Sequence, residues 1–151
     1  MKSQTTHNSK TGEKRLTVLN SLLRGELSAV ETYDQAIRQL AKERIPELAE
    51  NRDCHAGRVD ALRREITALG GEPAKSSGAW GGFAKLVEKG ASVAGRSAII
   101  ATLEEGEDRG LADYRKARED LEAADRSSID TDLLPAQKRT HERMHRLQQT
   151  A

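Results

Sequence analysis

Two carboxylates, two phenols and two imidazoles stand at positions of this chain where apolar residues are expected. Between Leu16 and Leu40, every third and fourth residue reads Leu16, Leu19, Leu23, Glu26, Val30, Tyr33, Ile37, Leu40, the spacing that puts all eight on one helical stripe. Glu26 therefore points where a leucine belongs, and a carboxylate is almost never buried without a metal, a base or a hydrogen-bond donor beside it. The pattern recurs: Glu107 and Tyr114 are seven residues apart, as Glu26 and Tyr33 are, and these are the chain's two tyrosines. A histidine follows each pair, His55 after the first and His141 after the second. If the two halves pack about a pseudo-twofold axis, Glu26, His55, Glu107 and His141 converge. Two Glu and two neutral His would balance one divalent ion, and such nitrogen and oxygen donors suit zinc, iron or manganese.

Helices must position these groups. The first is expected from about Glu13 to Glu43, roughly 45 Å long, after a polar stretch 1–12 that lacks periodicity and reads as a disordered tail with His7 in solvent. Arg44 and Ile45 form a tight connection, and Pro46 suits the first turn of a second helix. That helix carries Leu48, His55, Val59, Leu62, Ile66 and Leu69 on one stripe and stops at Gly70-Gly71. The segment 72–82 is rich in Gly, Pro and Ser and reads as a connection, with Trp80 anchoring it; a short helix is expected over Phe83–Ala94. A third long helix, from about Arg96 to Ala124, turns Ile100, Leu103, Glu107, Leu111, Tyr114 and Leu121 inward. Ser127–Asp132 can cap a fourth, which has Pro135 in its first turn and presents Leu134, His141, Met144 and Leu147. The expected domain, 13–151, is an all-α, up-down four-helix bundle with one long crossover between helices 2 and 3.

Composition agrees with that class and narrows the partners. Of 151 residues, 36% are hydrophobic and 32% charged, with one Trp and one Phe, a balance that favours helices over sheets. The 25 basic and 24 acidic residues are interleaved, so no basic tract marks a nucleic-acid partner. Cys54 is the single cysteine, which excludes an internal disulfide and a Cys-rich zinc site; adjacent to His55, it projects elsewhere and reads as a packing residue. No run approaches the ~20 apolar residues of a membrane span. A cytoplasmic protein is the expectation, and a homodimer is compatible with helix faces of this kind.

The stretches LNSLLRGELSAVETYDQAI, HAGRVDALRREITALGGEP, LEEGEDRGLADYRKA and QKRTHERMHRL make the chain resemble the ferritin-like bundles of the rubrerythrin and ferritin superfamily. It is most similar to small bacterial ferritin-like proteins catalogued as a domain of unknown function. The resemblance implies that Glu26 and Glu107 match the single-Glu ligands of a di-iron site, and His55 and His141 the histidines of its two Glu-x-x-His motifs. Three residues before each histidine, however, stand Arg52 and Lys138 in place of glutamates. Two iron(II) ions would bring four positive charges against two carboxylates, with two basic groups nearby, so an ordinary di-iron centre is not expected.

Two readings remain. In the favoured one, Arg52 and Lys138 take the metals' place, pair with Glu26 and Glu107, and leave a scaffold or interaction protein with a degenerate site and no cofactor. In the other, the Glu/His set binds a single iron, manganese or zinc ion for redox or metal-handling work, with Tyr33 and Tyr114 beside it. Glu104, one turn before Glu107, is an additional candidate ligand. His141 and His145 are spaced to chelate a metal together on a helix surface, although His145 reads as exposed.

Overall fold

The computed structural model describes residues 2–77 and 95–150, with side chains from residue 8 onward in the first stretch. Four α-helices and no strand occur among the described residues: α1 Lys2–Gln39, α2 Pro46–Ala68, α3 Gly95–Asp120 and α4 Leu134–Thr150. The chain is the all-α four-helix bundle its periodicity predicts. None of these helices is long and apolar enough to cross a membrane.

The helix limits differ from expectation at four places, one being α3, which stops at Asp120 rather than near Ala124. The first helix starts at Lys2, not near Glu13, and takes in the stretch 2–12 expected to be a disordered tail. Once a helix is nucleated, each further residue adds a hydrogen bond, and no proline interrupts this stretch. At its other end α1 stops at Gln39, because Ala41–Glu43 tightens into a 3₁₀ turn and Arg44 adopts the left-handed region at φ 50°. Ile45 is extended, as the residue before a proline tends to be, and Pro46 opens α2. Before α4 there is no Ser or Asp cap. Ile129–Leu133 instead forms one π-helical turn, with Asp130 held by Arg118 and Arg126 at 2.7 and 3.3 Å.

The end of α2 shows how the crossover is launched. Leu69, Gly70 and Gly71 donate their N–H groups back to Glu65, Thr67 and Ile66, each at 3.0 Å, and Gly70 takes φ 79°, a conformation glycine adopts without penalty. Gly71 then passes so close to α1 that a Cβ would meet Leu16 Cδ2 at 2.5 Å. Asn20 clamps the departing strand of chain: its amide donates to Glu72 O at 3.1 Å and its oxygen accepts from Ala74 N–H at 2.8 Å. Farther along α1, the Ser77 hydroxyl donates to Glu31 at 2.9 Å. Arg96, at the start of α3, pairs with Glu43 at the far end of α1. The end of α2 and the start of α3 therefore lie at opposite ends of α1, and α1 and α4 point one way while α2 and α3 point the other. The short helix expected over Phe83–Ala94 and the anchoring of Trp80 fall outside the described residues.

Two apolar clusters fill the interior. One is built on Leu19, Leu22, Leu23, Leu62, Ile66, Leu111, Tyr114 and Ile129, the other on Tyr33, Leu40, Leu48, Ile99, Ile100, Leu103 and Met144. Each fully buried Leu or Ile contributes about 1.5–3 kcal/mol of transfer free energy. Between the clusters lies a buried polar layer containing Glu26, Asn51, His55, Arg58, Glu107, Gln137 and Thr140.

Candidate functional site

All four helices contribute to this layer. Glu26 and Tyr33 come from α1, Asn51, His55 and Arg58 from α2, Glu107 and Tyr114 from α3, and Gln137 and Thr140 from α4. His55 sits between the two carboxylates: Nδ1 is 2.5 Å from Glu26 Oε2 and Nε2 is 2.7 Å from Glu107 Oε1. An imidazole that donates from both nitrogens is an imidazolium. Arg58 Nε donates to Glu26 Oε1 at 2.8 Å, and its Nη2 donates to Gln137 Oε1 at 2.9 Å.

Each tyrosine crosses to the carboxylate of the other half. Tyr33 Oη donates to Glu107 Oε1 and Tyr114 Oη to Glu26 Oε1, both at 2.6 Å. The short lengths are those of O–H···O⁻ hydrogen bonds. Glu107 receives two more donors on its other oxygen, Gln137 Nε2 and Thr140 Oγ1, at 2.9 Å each. Asn51 completes the layer, donating to Tyr33 Oη and to the Thr140 carbonyl while accepting from Arg143.

The electrostatics follow from these contacts. Burial alone would raise Glu26, but the Arg58 and His55 charges and the hydrogen bonds from His55 and Tyr114 outweigh it and lower its pKa from 4.5 to about 2. Glu107 is likewise lowered against its burial, chiefly by His55 and the donors around it. For His55, burial and the Arg58 charge favour the neutral ring, yet the two flanking carboxylates win and its pKa rises above 6.5. Arg58 Nη2 lies 2.5 Å from His55 Nδ1, so the two basic groups are in contact, and Glu26, bonded by Arg58 Nε and lying against His55, offsets their repulsion. Burial and a neighbouring carboxylate push both tyrosines well above 10. Two anions and two cations therefore close the site with no net charge.

The layer corrects several sequence assignments. Glu26, His55 and Glu107 meet as expected, with Tyr33 and Tyr114 beside them. His141 does not join them: it faces outward on α4, with Nε2 2.6 Å from Asp108 on α3. Glu104 is also outside the layer, 2.6 Å from His145. Arg52 pairs with Asp34 at 2.9 Å on the surface, and Lys138 is exposed, so neither replaces a metal. The guanidinium hydrogen-bonded to Glu26 is that of Arg58. The reason is register: α2 turns Leu48, Asn51, His55, Arg58, Leu62 and Ile66 inward, and α4 turns Gln137, Thr140, Met144 and Leu147 inward. Both are 3-4 repeats visible in the sequence, but counting back from Met144, Thr140 and His141 are equally spaced candidates, and histidine's chemistry is a poor guide to which faces in.

Instead of the expected pairs 52/55 and 138/141, the inward pairs with this spacing are His55-x-x-Arg58 and Gln137-x-x-Thr140. Two of these four are neutral donors and one is a permanent cation, so the donor set does not fit a di-metal centre. Among the described residues, no three His, Cys, Asp or Glu side chains form a group able to hold a metal ion as they stand. A cavity of about 60 Å³ reaches the two carboxylates from between α1 and α3, where Gly25, Ser28, Ala29, Gly106 and Gly110 keep the helices' facing surfaces small; it has room for a few water molecules.

A family model described as a domain of unknown function, DUF2383, matches residues 14–120. This span covers α1 from residue 14, all of α2 and α3, and all of the layer except the α4 residues. No curated protein and no solved structure matches the chain.

Proposed function

The chain belongs to the DUF2383 family, and on that premise we propose that it is a ferritin-like bundle acting as a scaffold or interaction protein, its di-metal site degenerate and salt-bridged. The observation that carries this reading is the Arg58 guanidinium, hydrogen-bonded to Glu26 and Gln137 in the middle of the polar layer. Together with the His55 imidazolium it supplies the positive charge that metal ions would otherwise bring to Glu26 and Glu107. A guanidinium has no lone pair to offer a metal and is not deprotonated in proteins, so it blocks the site both sterically and electrostatically.

The layer's role in this reading is to fix the helices in one register, since a misaligned helix would strand a buried charge. The discriminating experiment is to challenge untagged protein with iron(II) and manganese(II), pass it through a desalting column and measure the retained metal. The expected result is no stoichiometric iron or manganese. One or more ions per chain, lost in a folded Glu26→Gln variant, would overturn the reading and restore a metal-handling role.

A further inference from the structure

The two histidines that the core leaves outside stand together on α4. His141 and His145, within the stretch His141-Glu142-Arg143-Met144-His145, have the H-E-x-x-H spacing that places two imidazoles on one helical face, where they can share a metal ion. Their rings lie parallel, 3° apart in plane and 6.3 Å between centroids. Across from them on α3, Glu104 and Asp108 are also four residues apart. Asp108 Oδ1 is 2.6 Å from His141 Nε2, and Glu104 Oε1 is 2.6 Å from His145 Nδ1. The Gln149 amide reaches the other ring nitrogen of His145 at 3.2 Å.

We infer that His141, His145, Glu104 and Asp108 form a surface site for one divalent transition-metal ion, with zinc the best match. Two neutral imidazoles and two carboxylates cancel the charge of such an ion, and an N₂O₂ set suits tetrahedral zinc. As the side chains stand, each imidazole is engaged with its own carboxylate and the four donors do not converge. With zinc bound at about 2.0–2.1 Å from each nitrogen, ring centroids would be about 5 Å apart. The rings must therefore approach by roughly an ångström, through a change of side-chain torsion. His145 and Asp108 have the freedom to do so, being 51% and 65% exposed. The less exposed partners, Glu104 at 13% and His141 at 25%, supply a fixed ligand on each helix. An ion here would cross-link α3 to α4 at the surface, independently of the buried layer.

The test is equilibrium dialysis of untagged full-length protein against zinc(II) chloride, repeated with cobalt(II) to read coordination from the visible spectrum. The expected result is one zinc per chain, with a tetrahedral cobalt spectrum. Binding should be lost in the double variant His141→Ala/His145→Ala and weakened about 10–100-fold by Asp108→Asn. It should persist in Tyr33→Phe, which alters the core, and in Glu142→Gln. Circular dichroism of each variant separates loss of binding from loss of fold. No retained zinc, or zinc that survives removal of both histidines, overturns the inference. Because the ion, the variants and the location differ from those of the iron and manganese experiment, failure of one reading leaves the other standing.

Discussion

The buried layer and the α3–α4 surface are built from the same side-chain types, histidines against carboxylates at hydrogen-bond distance, yet their physics is opposite. In the layer, His55 is enclosed by Glu26 and Glu107, both almost free of solvent contact, and each charge is matched in place because bulk solvent does not reach it. On the surface, His141 and His145 each meet one carboxylate with water nearby, where an ion pair contributes little. Burial holds the first arrangement in place. Exposure leaves the second free to exchange its partners, and so able to accept an ion.

Arg58→Met should break this contrast most severely. It leaves Glu26 without its guanidinium, and removing one partner of a buried pair costs about 3–5 kcal/mol, measurable as a drop in the urea unfolding midpoint. A loss below about 1 kcal/mol would show that Arg58 is not holding the layer. The pH profile gives the next largest effect. The lowered Glu26 pKa contributes stability present above pH 4.5 and lost as pH falls toward about 2. That drop corresponds to on the order of 3 kcal/mol. His55 has the opposite sign, its raised pKa contributing stability that is full below pH 6.5 and lost as pH rises through its folded-state value. Thermal scans across pH should therefore show greatest stability between about 4.5 and 6.5 from these two groups.

Smaller effects sharpen the comparison. Tyr33→Phe removes a hydrogen bond to a charged acceptor and should destabilise by about 1.5–3 kcal/mol, with NMR of the His55 ring reporting whether the layer persists. Gly110→Ala would place a Cβ 2.7 Å from Gln137 Nε2, displacing a buried donor of Glu107; a cost of about 1–3 kcal/mol is expected by denaturation. His141→Ala, on the surface, should change metal-free stability by no more than about 0.5 kcal/mol. A loss comparable to that of Tyr33→Phe would place His141 in the structural network after all.

The fold and half of the layer were legible in the sequence, for an identifiable reason. Glu26, Tyr33, Glu107 and Tyr114 interrupt long apolar stripes on α1 and α3, so their inward direction is fixed by leucines on both sides. Arg58, Asn51, Gln137 and Thr140 are harder to read because they are polar residues on the shorter helices α2 and α4. There a shift of one position leaves a stripe of similar quality, and the adjacent Leu133 and Leu134 fit either register. Motif spacing points to Arg52 and Lys138 as partners of Glu26 and Glu107, because each precedes a histidine by three. The structure finds the partner of Glu26 three residues after His55 instead, in the direction the 3-4 repeat allowed but motif spacing did not suggest. The stretch 2–12 reads as a tail by its polar composition, yet it contains no helix-breaking proline and α1 extends through it.

The crossed hydrogen bonds of Tyr33 to Glu107 and of Tyr114 to Glu26 mean that neither helical hairpin is complete alone. The halves are also unequal in charge. The first carries Glu26, His55⁺ and Arg58⁺ into the layer, whereas the second carries only Glu107 among ionised groups. Pairing two first halves would enclose two uncompensated positive charges, and pairing two second halves would enclose two negative ones. The buried layer thus works as a lock and key between the hairpins, steering each to its unlike partner even when many copies of the chain fold side by side.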